Sequence, residues 1–170
     1  RSNIYINLLK QTTELLSKFN PDNIFFRPYP AKIYKNFNVK KEISDNFKNV
    51  KIDETKSDFL RTLNKFGLVV YVDDSTSFLE TLALNKPSML ILSKELYFNS
   101  HRNSASNYYK KLKKINIIHN DPKALIEFIK KIDFDFPRWW YSKKTQNIKN
   151  LFCSKYCNYL RNPINELKKI

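Results

Sequence analysis

The chain has 170 residues, 42% of them hydrophobic and 15% aromatic, enough for one α/β domain with a core of its own and too apolar for disorder as its main state. A single glycine, Gly67, excludes the glycine-rich phosphate loops of Walker and dinucleotide-binding type, collagen, and glycine-rich linkers. The formal charge of +15 points first to nucleic acid or an anionic membrane, but 25 of the 31 cations are lysines, and Lys, Asn and Ile make up 61 residues in the manner of A/T-rich codons. The basic runs 110–114 and 143–149 read as solvated helix faces.

Apolar periodicity and breakers alternate along the chain. Ile4, Leu8, Leu9, Leu15, Leu16 and Phe19 predict an opening helix over 3–19, stopped by Asn20 and Pro21. The chain starts at Arg1 without a methionine and runs straight into this pattern, as expected of a piece of a longer protein. Ile24, Phe25 and Phe26 predict a short buried strand ended by Pro28 and Pro30, and a polar helix follows near 40–47. A second strand at 50–52 leads to a helix over 57–66. Residues 68–72 form a continuous apolar, β-branched run of the kind buried on both faces, which predicts the centre of the sheet.

The turn Asp73-Asp74-Ser75-Thr76-Ser77 signals a helix start, with the helix over 78–84 closed by Asn85 before Pro87. A fourth strand at 88–92 and a polar stretch precede a basic helix over 107–114, a fifth strand at 115–118, and a helix over 123–132 opened by Asp121-Pro122. A final helix is expected over 139–159, packed outside the sheet. Trp139 and Trp140 would point about 100° apart on it, so one is expected in the core and the other against a further domain. Strands alternating with helices imply right-handed crossovers and a mainly parallel sheet of about five strands with helices on both faces.

Cys153 and Cys157 share one helix face at i, i+4 and are expected as reduced thiols. His101 and His119 lie at no ligand spacing from them, so no metal is expected. No stretch approaches the roughly 18 consecutive apolar residues of a membrane span, and a cytoplasmic location is expected.

In such a sheet ligands bind beyond the carboxyl ends of the strands. The candidates are therefore Arg27, Asp53, the turn 73–77, Ser93 with Lys94, and His119, one set after each strand. The hydroxyl-rich turn offers unpaired amides and the positive end of a helix to a phosphate; its alternative reading is an ordinary capping box of Ser77 and Glu80. Arg27 suits a carboxylate or phosphate, or else a salt bridge to a strand-end aspartate. His119 suits proton transfer near neutral pH, or else a hydrogen-bonded structural role. No Ser-His-Asp or cysteine-nucleophile motif is visible.

The series Arg27-Pro28-Tyr29-Pro30, then Val70-Tyr71-Val72-Asp73-Asp74-Ser75-Thr76 with Glu80, Leu82-Ala83, Asn85 and Pro87, then Leu112 with Ile117-Ile118-His119, then Trp139-Trp140 and Phe152-Cys153, resembles the carboxyl-terminal part of bacterial surface-carbohydrate transferases. These are similar to the Kdo and sialic acid transferases of capsule and lipopolysaccharide assembly. The resemblance implies a GT-B glycosyltransferase, two Rossmann-like domains facing across a cleft, with residues 1–170 as the donor-binding one and residues 137–160 returning toward an amino-terminal domain. It implies donor contacts at Arg27, Tyr29, Asp74, Ser75, Thr76, Glu80 and His119. Tyr29-Pro30 stands where relatives carry a His-Pro pair, whereas Ser75 and Thr76 match the nucleotide-holding turn. The catalytic base is expected in the other domain, and no cofactor or metal is implied. The implied partners are a nucleotide sugar as substrate, CMP-linked donors included, a glycan or lipid-linked acceptor, and the inner face of the membrane as a peripheral contact; no nucleic acid is expected. The rival reading is a basic, nonenzymatic nucleic-acid-binding α/β domain, supported by the aromatics among lysines at 108–114. A third is a carbohydrate-assembly scaffold that has kept the fold and lost activity.

Overall fold

The computed structural model describes residues 2–19, 23–28, 38–53, 59–93 and 103–157. Its elements are α1 (Ser2–Phe19), β1 (Phe25–Phe26), α2 (Val39–Asn46), β2 (Lys51–Ile52), α3 (Phe59–Leu63), β3 (Val69–Tyr71), α4 (Thr76–Ala83), β4 (Ser88–Ile91), α5 (Asn103–Lys114), β5 (Ile118–His119), α6 (Pro122–Lys131), α7 (Phe136–Trp140) and α8 (Lys143–Tyr156). Tyr29, Pro30, Lys94, His101 and residues 158–159 lie outside the described residues.

Every strand pair is parallel, and helices cover both faces. Successive residues of β4 alternate sides, as the pleat requires. Met89 and Ile91 join one core with Leu8 and Leu9 of α1 and Leu125, Ile126 and Ile129 of α6. Leu90 joins the other, with Phe78 and Leu82 of α4, Leu112 of α5 and Phe152 of α8.

Two strand expectations change. The strands form two sheets, ordered β1-β2 and β3-β4-β5, instead of one. The central strand is β4, with all four residues buried between β3 and β5, while β3 is half-buried and, among the described residues, paired on one side only. Strand β1 has only two residues, Phe25 is 45% exposed, and Pro28 follows with no N–H to carry a ladder further. Among the described residues β1 therefore pairs with β2 alone, although Val50 and Val72 share the core under α1 and α6.

Helix ends explain most of the shifted boundaries. Asn85, Asn116 and Asp133 take left-handed backbone conformations at φ 56°, 61° and 50°. Each closes its helix with a double bond pattern: Asn85 N–H to Leu82 C=O with Lys86 N–H to Thr81 C=O, Asn116 to Lys113 with Ile117 to Leu112, and Asp133 to Lys130 with Phe134 to Ile129. Asn116 thus turns the chain where a strand over 115–118 was expected, and β5 starts only at Ile118. The final helix divides at Tyr141–Ser142, because the Ser142 hydroxyl accepts from Thr145 N–H and opens α8 as a separate helix. Helix α4 begins at Thr76 and α5 at Asn103, each earlier than the apolar pattern suggested.

Short helix α7 joins these ends. Trp140 is fully buried and its indole Nε1–H donates to both the backbone oxygen and Oδ1 of Asn85, at 3.1 Å each. Trp139 is half-buried, donates to the Ile115 carbonyl at 3.0 Å, and sets its ring edge-on to Phe128. One tryptophan, Trp140, is in the core as expected, while Trp139 keeps part of its surface uncovered; both indoles bond the carboxyl ends of this domain's own helices, where carbonyls lack helical partners.

At the start of β4, the Ser88 hydroxyl is buried without a hydrogen-bond partner. Ser88→Ala should therefore raise the unfolding free energy by about 1 kcal/mol, since it removes an unsatisfied polar group at little cost in volume. Trp140→Ala should lower it by about 4 kcal/mol through the cavity and the lost donor. Urea denaturation of both variants checks the pair of values.

Candidate functional site

One cavity of about 1170 Å³ runs along β1 and β3, from Ile24, Leu68 and Phe136 at their amino ends to Arg27, Asp53, Asp73 and Ser75 beyond the carboxyl ends of β1, β2 and β3. Its body is apolar, built from Leu9 and Leu16 of α1, Phe25 and Phe26 of β1, Val69–Val72 around β3, and Ile126 and Ile129 of α6. Arg27, Asp53, Asp73, Ser75 and Ser77 contribute polar groups to its wall. The cavity occupies the gap between β1 and β3, where the two sheets fail to join.

Register determines the first polar pair. Phe26 stands opposite Ile52 in the parallel ladder, and Asp53 N–H bonds Phe26 C=O at 2.9 Å, so the next residues, Arg27 and Asp53, leave their strands side by side. Arg27 Nη1 donates to Asp53 Oδ2 at 3.0 Å. The Asp53 side chain is 7% exposed and that of Arg27 31%, so the carboxylate anchors the guanidinium while part of the cation stays accessible. The Phe59 ring lies 5.3 Å from the guanidinium carbon and limits its movement on that side.

The second group follows β3. Tyr71 donates its hydroxyl to the Ser77 carbonyl at 3.1 Å and meets the Thr81 hydroxyl, whose own bond runs to the same carbonyl at 2.8 Å. This cluster ties the first turn of α4 to β3, and burial pushes the Tyr71 phenol up to about 12, keeping it a neutral donor. Ser75 is the helix N-cap in extended conformation, yet its hydroxyl makes no capping bond. The capping box of Ser77 and Glu80, the alternative reading of this turn, does not form: Ser77 lies inside the helix and Glu80 is exposed a turn further on.

Asp74 is turned away from the cavity wall, and its Oδ2 accepts from the Tyr109 hydroxyl at 2.6 Å. Burial, and then the bond to Asp74, raise the Tyr109 phenol well above its ordinary value. The Asp73 carboxyl is raised first by burial and then by the charge of Asp74 beside it.

Of the residues singled out in the sequence, the structure brings Arg27, Asp53, Asp73, Ser75 and Ser77 to one cavity. Thr76 is exposed at the start of α4, beside the cavity wall but not in it. Tyr109 and Tyr71 were missed as positioning residues. The stripe Ala105, Tyr108, Tyr109 and Leu112, at helical spacing, was the signal that the tyrosines of α5 turn inward. Among the described residues no cluster of three or more His, Cys, Asp or Glu side chains could hold a metal ion, and no helix is long and apolar enough to cross a membrane.

His119 sits elsewhere. It pairs with Ile91 in the β4–β5 ladder, is 4% exposed, and is not part of the cavity wall. Its Nε2–H donates to the Asn116 carbonyl at 2.9 Å, which fixes the neutral tautomer, and the ring packs on Phe128. Burial lowers its pKa to about 4. The unfolded chain takes up this proton near pH 6.5 and the native state near pH 4, so the contribution to stability is complete above pH 6.5 and is lost as pH falls to 4. The loss should amount to about 3 kcal/mol. The stability advantage of the native protein over His119→Gln should shrink across that window, as denaturation at a series of pH values would show.

A mainly parallel α/β sheet with cationic, carboxylate and hydroxyl groups at its carboxyl edge is an arrangement many enzymes share. No curated protein and no solved structure gave a match to the chain. The family model that does match covers residues 10–170, nearly the whole chain, and on that match the protein belongs to the LIC12162 family of transferases.

Proposed function

We propose that this transferase is a glycosyltransferase of GT-B type, and that the chain is its donor-binding domain. It holds a nucleotide-activated sugar, CMP-linked donors included, for transfer to a lipopolysaccharide or capsule glycan or its lipid-linked precursor. The observation that carries the reading is that Arg27 and Ser75, each beyond the carboxyl end of a strand, line the same cavity. Breaking the bond between the sugar and the donor phosphate builds negative charge on the phosphate oxygens. The Arg27 guanidinium, already oriented by Asp53, and the amino end of α4 meet that charge without further reorganisation. The Ser75 hydroxyl, not engaged in capping, adds a donor at the same edge. Asp74, held by Tyr109, and Thr76 shape the turn around it. The catalytic base belongs to the facing domain in this reading, which leaves the chain with binding and leaving-group stabilisation.

One observation weighs against the nucleic-acid alternative. Tyr108 sets its ring edge-on to Tyr156 and Tyr109 to Phe152, so the aromatics among the α5 lysines are engaged internally and offer no stacking platform to bases.

Calorimetric titration with a panel of nucleoside mono- and diphosphates tests the proposal. Ser75→Ala should weaken binding about tenfold, the equivalent of one hydrogen bond to an anion, with the melting temperature unchanged because no capping bond is lost. Arg27→Ala should weaken binding about ten- to a hundredfold and also lower the melting temperature, because the buried Asp53 carboxylate loses its cation. Unchanged affinity in both variants would remove this site.

A further inference from the structure

Helix α8 carries Lys149 and Cys153 at i, i+4 on one face, and Cys157, the residue that caps the helix, follows four positions further on. Lys149 is 5% exposed, and among the described residues no carboxylate pairs with its ammonium. The titratable groups acting on it are the two thiols. Burying a cation without a counter-ion is costly, and here the group placed to become that counter-ion is sulfur. Both cysteines are free and half-buried. Cys157 is the residue at which α8 closes; its φ of −120° and ψ of 25° have left the helical values, while its N–H still bonds the Cys153 carbonyl at 2.8 Å.

We propose that Cys153 and Cys157 form a thiol–disulfide exchange site for low-molecular-weight disulfides, with Cys153 as attacking thiol, Cys157 as resolving thiol and Lys149 holding the attacking thiolate. The Cys153 thiolate attacks one sulfur of the small disulfide; a new S–S bond joins it to half of that molecule, and the other half leaves as a thiolate that takes a proton from solvent. The Cys157 sulfur, losing its proton to solvent, then attacks the Cys153 sulfur and expels the second half as thiol. The small disulfide is reduced to two thiols and the protein dithiol is oxidised to an internal disulfide. Residues four apart on a helix have Cα atoms about 6 Å apart, inside the span a disulfide bridges, and the side chains close the remaining distance if the last turn loosens. That turn ends at Cys157, whose backbone is already outside the helix.

The two thiols are electrostatically unequal. The neighbouring Cys157 thiol, and with it the Lys149 ammonium one turn away, draws the Cys153 thiol below its ordinary value. The neighbouring Cys153 sulfur, together with burial, pushes Cys157 up. This split is what an attacking and a resolving thiol need.

Oxidised glutathione is a suitable probe, with intact-mass spectrometry of the folded protein at pH 7 as the readout. The native protein should lose two hydrogens and retain no adduct. Cys157→Ser should trap a mixed disulfide on Cys153. Cys153→Ser should react at least tenfold more slowly, and so should Lys149→Met, which keeps the buried stem and removes the charge. Equal reactivity of the two single-cysteine variants, or capture by Cys153 no faster than in the same protein unfolded in urea, would overturn the proposal. Circular dichroism of each variant separates loss of reactivity from loss of fold: slow capture by a folded Lys149→Met supports the role of the ammonium, and unchanged capture by it removes that role.

Discussion

The arrangement of this protein depends on the complete burial of β4. A strand with neighbours on both sides and helices on both faces satisfies its backbone through two parallel ladders and buries a side chain at every position. Met89 and Ile91 fix the layer of α1 and α6, and Leu90 fixes that of α4, α5 and α8. Its register with β3, Val70 opposite Met89 and Tyr71 opposite Leu90, determines where β3 ends. That in turn locates Asp73, Ser75 and the start of α4 at the cavity. The unsatisfied Ser88 hydroxyl lies at the opposite, amino-terminal end of the strand, away from the groups proposed to bind ligand.

A chain with one glycine must close its helices by other means. The left-handed residue that usually follows a helix is glycine, because a Cβ there costs energy; asparagine and aspartate bear that cost best. Asn85, Asn116 and Asp133 take these positions. At Asn85 the replacement has a further consequence, because its side-chain oxygen accepts the Trp140 indole N–H, a contact glycine could not supply. Helix α7 thereby holds the end of α4 through Trp140 and the end of α5 through Trp139. The composition that looked like codon bias also has a structural use.

The parallel α/β class, the existence of every described element except α7 as a separate helix, and the strand-end position of Arg27, Asp53 and the 73–77 turn were legible in the sequence, because periodicity and breakers are local signals. The centre of the sheet was not. Residues 68–72 are more continuously apolar than 88–91, which start with serine, but centrality depends on which strands lie alongside, a non-local property. The gap between β1 and β3 was hidden for the same reason. His119 was expected just beyond its strand and is instead the last residue of it, and the direction of its side chain depends on the pleat of a two-residue strand whose start is displaced by the turn at Asn116. Tyr109 was read with its lysine neighbours instead of with the inward stripe of its helix.

The split between anchoring and accessible groups bears on how such a site tolerates change. Asp53 is buried and Arg27 half-buried, so their pairing serves the fold as well as the wall of the cavity, and the two roles cannot be altered separately. Ser75 differs, because its hydroxyl contributes nothing to the helix it precedes. Asp74 differs again: its carboxylate is committed to Tyr109, and Tyr109 packs on Phe152 of α8. Position 74 therefore couples the β3–α4 turn to the outer helices, and its charge raises Asp73 beside it. In the proposed reading, Ser75 meets ligand at no structural cost, Arg27 is shared between ligand and fold, and Asp74, beside the wall and not in it, acts through its neighbours, so changes at the three need not have the same effect on binding and stability.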